Sequence, residues 1–481
     1  MHLAKLHFGF SEYTFSGKLF FTLGKDCLLF EQNVSNMKYK AYNLSNFLSI
    51  PQIKNLTERQ KKDINVVGHV LPFKVNNYVI DELIDWKSVE LCPIFKLTFP
   101  QRDMLIPAHY KLMEKALSNG NDRESIKSVA NEIRVLLNPH PAGQQEYNVP
   151  EIEGHRLHGL QHKYRETVLF FSSPGQTCHS YCTFCFRWPQ FVGMDELKFA
   201  MNETELLVKY LESHQEVTDI LFTGGDPMIM SYKVFYKYIE PFISDNNKTN
   251  IQTIRIGTKV LAYWPYKFLT DDDADDFLKL FKSITSKGIN LALMAHFSHP
   301  RELETEAVKK AIHKLRSCGV QIRTQSPVLK HINDKAEIWA EMWRKQVNLN
   351  CIPYYMFVER DTGAQPYFAL PLVEAWNIFR KAYQMVSGVC RTVRGPSMSC
   401  TPGKVQILGV GKMDEQKIFV LRFIQGRNPD WVAKPFFARY DENAIWIDDL
   451  KPVFTEKFFF EDEAELIYEE KSTDLGTYRF E

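Results

Sequence analysis

From Thr167 to Val386 the sequence alternates short apolar runs with helix-length amphipathic segments, the pattern that repeated β/α units around a parallel sheet impose. Strands are predicted at Thr167–Ser172, Asp219–Thr223, Ile251–Thr258, Ile289–Phe297, Gln321–Val328 and Asn350–Phe357, and helices near Glu203–His214, Tyr232–Asp245, Asp273–Ser286, Thr305–Ser317, Lys335–Val347 and Leu370–Val386. Local signals agree with these bounds. The run Thr270-Asp271-Asp272-Asp273 and the pair Asn333-Asp334 are expected to cap the helices they precede, while Gly288 and Gly319 sit where a left-handed stop is wanted. Six such units are fewer than the eight of a closed barrel. The expected class is therefore α/β, a partial (β/α)6 TIM-like barrel whose open side other parts of the chain must cover.

The flanks divide the 481 residues into three expected parts: an N-terminal α+β extension (1–150), the barrel (151–410) and a small C-terminal extension (411–481). Residues 1–95 are rich in Phe, Tyr and Val and are expected to contain strands. Asp103–Leu137 has helical periodicity broken at Ser118–Asp122, and Pro139–Gly143 is a turn and linker signal. In the tail, strands are expected at Ile418–Phe423 and Ala444–Ile447, before an acidic stretch around Glu461–Glu470.

Composition narrows the partners. Lysine and arginine (59) balance aspartate and glutamate (58), so no whole-chain field points to nucleic acid or to an anionic membrane. The opening segment lacks the unbroken apolar core of a signal peptide, and no later stretch is long enough to span a bilayer. The nine cysteines are an odd number, three clustered and Cys27, Cys92, Cys318, Cys351, Cys390 and Cys400 scattered. That is the usage of a reduced, cytoplasmic protein with one site rather than of a disulfide framework.

The chemistry-bearing residues converge on the C-terminal ends of the predicted strands, where barrel loops are free to vary. Cys178, Cys182 and Cys185 follow the first strand at a spacing that offers three thiolates to one iron-sulfur cluster; zinc with His179, or plain buried cysteines, are the alternatives. Thr223-Gly224-Gly225-Asp226-Pro227 follows the second strand, its glycines able to bring backbone close to a small ligand. His296 and His299 close the fourth, with a capping or hydrogen-bonding role favoured over metal binding. Gln325-Ser326 ends the fifth and Tyr354-Tyr355 lies in the sixth. Arg187, two residues after Cys185, suits bidentate capture of a carboxylate. Pro402-Gly403 presents Lys404 on a tight turn after the last barrel helix, where a desolvated amine can react with an aldehyde cofactor.

In this arrangement the chain resembles the lysine 2,3-aminomutase family of the radical S-adenosylmethionine superfamily, from about Gly159 to Leu408. The resemblance runs through His162–Phe170, Cys178–Arg187, Leu221–Pro227, Ile254–Thr258, Ala295–Pro300, Gln325-Ser326, Pro353–Tyr355 and Pro402–Lys404. It implies that Cys178, Cys182 and Cys185 hold a [4Fe-4S] cluster whose open iron binds S-adenosylmethionine. Thr223, Gly224, Gly225 and Asp226 would line that cofactor, with His296 and Gln325 as further contacts. Lys404 matches the lysine that carries pyridoxal phosphate, Lys163 and Arg165 fall where cations meet its phosphate, and Arg187 matches the arginine that grips the substrate α-carboxylate. The implied reaction moves an α-amino group to the neighbouring carbon. The barrel would be a radical S-adenosylmethionine core, reduced by a donor such as flavodoxin or ferredoxin; the oligomeric state, a homo-oligomer included, stays open.

The match departs at the substrate side chain. Where lysine-specific members use two aspartates, this sequence has Arg360 and Ser397, with Glu359 and Asp361 one residue to either side of Arg360. If Arg360 faces the pocket, a substrate ammonium meets a like charge, and an acidic or polar amino acid is expected instead. The alternatives are a lysine enzyme with rearranged contacts, a radical enzyme acting on a peptide without pyridoxal phosphate, and a zinc-stabilised interaction protein.

Overall fold

A computed structural model describes residues 37–120, 122–138, 148–193 and 199–473, with side chains as far as 468. The opening segment, Cys27 and the turn at Pro139–Gly143 lie outside the described residues. One eleven-stranded sheet organises the chain. In chain order its strands are β1 (Leu160–Tyr164), β2 (Thr167–Phe171), β3 (Asp219–Thr223), β4 (Thr253–Thr258), β5 (Asn290–His296), β6 (Gln321–Val328), β7 (Ile352–Val358), β8 (Arg394–Ser399), β9 (Gly403–Met413), β10 (Gln416–Gly426) and β11 (Pro435–Arg439). Each pairs with its neighbours in sequence. The run β2 to β8 is parallel, whereas β1 and β9 to β11 are antiparallel.

The six predicted strands are β2 to β7, and the six predicted helices lie between and after them, within three residues at each end. Side-chain alternation explains the layering. In β4, Ile254, Ile256 and Thr258 are buried against the helices, which leaves Thr253, Arg255 and Gly257 on the other face. The helix Ala336–Asn348 returns the apolar face, burying Ala336, Trp339, Ala340 and Trp343 at helical spacing. Gly288 and Gly319 adopt left-handed backbone (φ of 80° and 81°) at their helix ends, as expected.

The acidic caps are a correction. Asp273 precedes Ala274–Ser286 without capping it; its carboxylate accepts from Lys267 Nζ (2.9 Å) and the Tyr232 amide (2.8 Å), and Asp271 accepts from Trp264 Nε1. Asn333 likewise ties the Leu329 amide and the Ser298 carbonyl rather than capping the next helix. These side chains found other partners, charge-assisted for the two aspartates and buried for Asn333, in place of an exposed helix end.

Before the barrel the described residues are mostly helical. The expected strands reduce, among the described residues, to Ala41–Asn43 paired with Lys74–Asn76 and the two-residue pair Glu151–Ile152 with His155–Arg156. The helical region breaks as expected, into Pro107–Ser118 and Arg123–Leu136, the second capped by Asp122. Past the barrel, Ile418–Phe423 lies within β10, but Ala444–Ile447 forms no strand and runs into a short 3₁₀ turn, its aromatic and aliphatic side chains filling the core under β9 to β11. The acidic stretch is the helix Glu461–Thr473. No described helix is long and apolar enough to cross a membrane.

Candidate active site

The cysteine loop leaves β2 and is held from three sides. Pairing of β2 with β3 brings it over the glycine turn, where the Asp226 amide donates to the carbonyls of Gly175 (3.1 Å) and Thr177 (2.8 Å). A Cβ on Gly225 would sit 2.5 Å from the Thr177 backbone, and one on Gly224 2.3 Å from Gln176 Nε2. Gly225 is thus required by the backbone of the cysteine loop packed against it, and Gly224 by its positive φ of 143°, reasons different from close approach of a ligand. From the N-terminal side, Lys74 O accepts from the Tyr181 amide (2.8 Å), Leu97 O accepts from the Thr183 amide (2.9 Å), and Tyr39 donates its hydroxyl to His179 O (2.7 Å). From the far rim, Trp188 Nε1 donates to Thr362 Oγ1 at 3.1 Å, pinning the loop to the turn after β7 that carries Arg360.

The described cysteines carry free thiols. Burial raises all three clustered thiols, to about 12 at Cys182 and about 11 at Cys185, and Cys178 is raised further by Asp226 and by the other two. Among the described residues no three His, Cys, Asp or Glu side chains close on a single metal ion. His179 is buried, its Nδ1 without a hydrogen-bond partner.

Asp226 is fully engaged. Its carboxylate accepts from Thr258 Oγ1 (2.6 Å), the Lys259 amide (3.0 Å) and the Met228 amide (3.0 Å), so it ties the ends of β3 and β4 together. Burial nevertheless pushes its pKa up to about 6. His299 accepts from the Arg301 amide and caps the turn that follows, the role expected for it. His296 ends β5 against the Phe184 ring, 5.5 Å between centroids, with Nε2 buried and unpartnered; burial and Lys259 hold it neutral. Gln325 ends up beside it in register across β5 and β6.

Below this rim lies a cavity of about 170 Å³ inside the curve of the sheet. Its lining follows the register: Leu169, Leu221 and Arg255 are consecutive cross-strand partners on β2, β3 and β4. The cysteine loop adds Phe186 and Arg187, β1 adds Lys163 and Tyr164, the turn after β7 adds Arg360, and the β8 to β10 end adds Ser399, Cys400, Thr401, Lys404 and Gln425. Five cations, Lys163, Arg187, Arg255, Arg360 and Lys404, line it, and no carboxylate among the described residues does.

Each cation is held differently. Arg255 donates Nε to Asp219 at 2.7 Å. Lys163 donates to the Cys400 carbonyl, and burial followed by Arg427 pushes its pKa down to about 7. Lys404 Nζ meets Gln425 Oε1 at 3.2 Å and lies 4.4 Å from the Tyr355 ring centroid; burial, with Arg255 and Arg394, pushes it down to about 8. Arg187 and Arg360 both approach the Phe186 ring, 5.0 and 5.3 Å from its centroid. Arg360 Nε is buried without a hydrogen-bond partner, the nearest acid, Asp361, lying 3.8 Å away.

Thus Arg360, and neither Glu359 nor Asp361, faces the cavity. Ser397 does not line it; Ser397 is buried with its hydroxyl toward Met356 O, and Ser399, two residues along the same strand face, lines it instead. Arg165 is exposed in the turn between β1 and β2 and is also outside the lining. Sequence reasoning missed Arg255 and Gln425. The first left a readable signal, a lone charge among the β-branched residues of Thr253–Thr258; the second did not, because only cross-strand register brings it to Lys404.

No family model matches the chain. A putative L-lysine 2,3-aminomutase of Aquifex aeolicus (strain VF5) is 28% identical over 413 residues, covering 86% of this chain and 96% of its own length. The L-lysine 2,3-aminomutases of Methanococcus maripaludis and Haemophilus influenzae are each 26% identical, covering 68% and 48% of this chain and 63% of their own length. Among solved structures, native anSMEcpe with bound AdoMet and Cp18Cys peptide aligns over 45% of this chain and 58% of its own at 14% identity, with a TM-score of 0.32, a likeness too loose to carry an argument.

Proposed function

We propose that the chain, similar to lysine 2,3-aminomutases over most of its length, is a radical S-adenosylmethionine, pyridoxal-phosphate-dependent amino acid 2,3-aminomutase acting on a substrate with a second carboxylate. The observation that carries the reading is the cavity itself, which Lys404, Arg187 and Arg360 line and no carboxylate among the described residues does.

The residues present suit the implied groups. Three thiols in one loop leave one iron of a four-iron cluster without a protein ligand. His296, with its orphaned nitrogen, and Gln325 stand at the rim where S-adenosylmethionine would lie. Lys404 suits the aldehyde of pyridoxal phosphate, and Lys163 with Arg255 suit its phosphate. When bound, the cluster with S-adenosylmethionine supplies a radical that removes hydrogen from an unactivated carbon, and pyridoxal phosphate supplies a π-system conjugated to the substrate nitrogen.

The protein's own contributions follow from geometry. With its pKa near 8, Lys404 is partly neutral at physiological pH and so nucleophilic. Arg187 binds the α-carboxylate through its planar fork, and Arg360, the guanidinium with an unused buried donor, takes the second carboxylate. Leu169, Leu221 and Phe186 exclude water from the reacting carbons. A lysine ammonium in the same place would meet cations and, among the described residues, no carboxylate in the lining; at about 4 Å and an effective dielectric of 20, each like-charge pair costs about 4 kcal/mol.

Anaerobic incubation of the reconstituted enzyme with each common amino acid, S-adenosylmethionine, pyridoxal phosphate and reductant, read by mass spectrometry, tests this. The expected result is a β-amino acid isomer from glutamate or aspartate and none from lysine. A lysine-only signal, the outcome that the relatives' names favour, would replace the proposed substrate.

A further inference from the structure

We propose that Gln425, on the antiparallel strand β10, is a positioning residue that holds the Lys404 amine directed into the cavity. The inference rests on the reading of Lys404 as the carbonyl-reactive lysine, and it brings the C-terminal extension into the active site.

Three observations support it. Register pairs Lys404 with Gln425 across β9 and β10, and the side-chain oxygen of Gln425 accepts from Lys404 Nζ at 3.2 Å while both residues line the cavity. The approach of the two strands is built in: a Cβ on Gly403 would lie 2.3 Å from Gln425 O, so only glycine lets β10 come so near the lysine turn. The next residues of the same strand end clamp that turn, the Arg427 amide donating to Pro402 O (3.0 Å), its Nε to Thr401 O (2.9 Å) and its Nη2 to Asn148 Oδ1 (2.6 Å).

The chemistry favours an uncharged acceptor here. Lys404 faces Lys163 from β1, Arg255 from β4 and Arg394 from β8, which with burial disfavour the ammonium form, and Tyr354 from β7, which opposes them. A carboxylate in place of the amide would lock the amine in its charged, unreactive form. An apolar side chain would leave it undirected. Glutamine offers a dipole that orients Nζ in either state.

The test uses the full chain with Gln425→Leu and Gln425→Glu, each checked for an unchanged melting profile. A brief acetic anhydride pulse across pH, read by mass spectrometry on the Lys404 peptide, gives the pH midpoint of amine reactivity. Parallel pyridoxal phosphate and borohydride treatment reports covalent loading of the same lysine. The midpoint should fall in Gln425→Leu and rise in Gln425→Glu, by about one pH unit each. Midpoints equal to wild type in both, or shifted in one common direction, overturn the proposal; if Gln425→Leu does not fold, the absence of a rise in Gln425→Glu does so alone. Failure of wild-type Lys404 to take up pyridoxal phosphate would instead overturn the aminomutase reading, whatever the midpoints show.

Discussion

The parallel run β2 to β8 and the antiparallel run β9 to β11 belong to one sheet, yet they furnish the cavity by different means. In the parallel run, the proposed function sits mainly in loops beyond the strand ends, the cysteine loop, the glycine turn and the turn bearing Arg360, with Arg255, His296 and Gln325 added from the strands. In the antiparallel run it sits within the strands: Lys404 is the second residue of β9, and Gln425 is one residue from the end of β10. Loops can be exchanged singly, whereas strand residues come with their partners. A site made from both combines a replaceable specificity element with a lysine held by register.

Substitutions that strike one region and spare the other put this division to the test. The largest effect belongs to Cys182→Ala, expected to lower iron below the four per chain of an intact cluster and to abolish all S-adenosylmethionine cleavage; iron analysis and EPR check it. Lys404→Met should also abolish isomerisation but leave iron content and the EPR signal unchanged, so a parallel loss of iron would show that the two regions are not separable. Gly225→Ala removes no ligand, yet its new methyl meets the Thr177 backbone at 2.5 Å; we expect destabilisation of about 1–3 kcal/mol in thermal melts and poorer iron retention. Arg360→Met should weaken kcat/KM for the dicarboxylic substrate by about 2–4 kcal/mol, some 30-fold to 1,000-fold, while leaving cluster and lysine intact.

A further effect is a linkage. The folded pKa of Lys404, about 8, lies below its ordinary value of 10.5, so above pH 8 the unfolded chain binds more protons and stability rises with pH until about 10.5. Below pH 8 the buried charge is present in full and opposes folding. Lys404→Met should therefore melt higher than wild type at pH 7, with the difference shrinking toward pH 10; a constant difference would contradict the assignment.

The same division explains what could be read in advance. Strands β2 to β7 and their helices were legible because buried residues alternate along each strand and recur at helical spacing between them, as in Thr253–Thr258 and Ala336–Asn348. Strand β8 was not, since Arg-Gly-Pro-Ser-Met-Ser has almost no strand-forming residues; neighbours on both sides, and Gly395 pressed against Met356, impose the conformation. Of the residues expected from the sequence, Lys163, Arg187, Arg360 and Lys404 line the cavity. Arg165 and Ser397 fell outside the cavity because the hairpin turn at Arg165 faces outward and Ser397 lies buried beneath the lining. The role of Asp226 could not be foreseen, because its partners come from a different strand end.

The central claim is that the cysteine loop and Lys404 act on one molecule in one cavity. Transfer of deuterium from the β-carbon of labelled glutamate into 5′-deoxyadenosine, followed by mass spectrometry in the anaerobic holoenzyme, measures this directly. Deuterated 5′-deoxyadenosine appearing together with β-glutamate is the predicted result; 5′-deoxyadenosine that stays unlabelled with every deuterated amino acid tried would contradict the account.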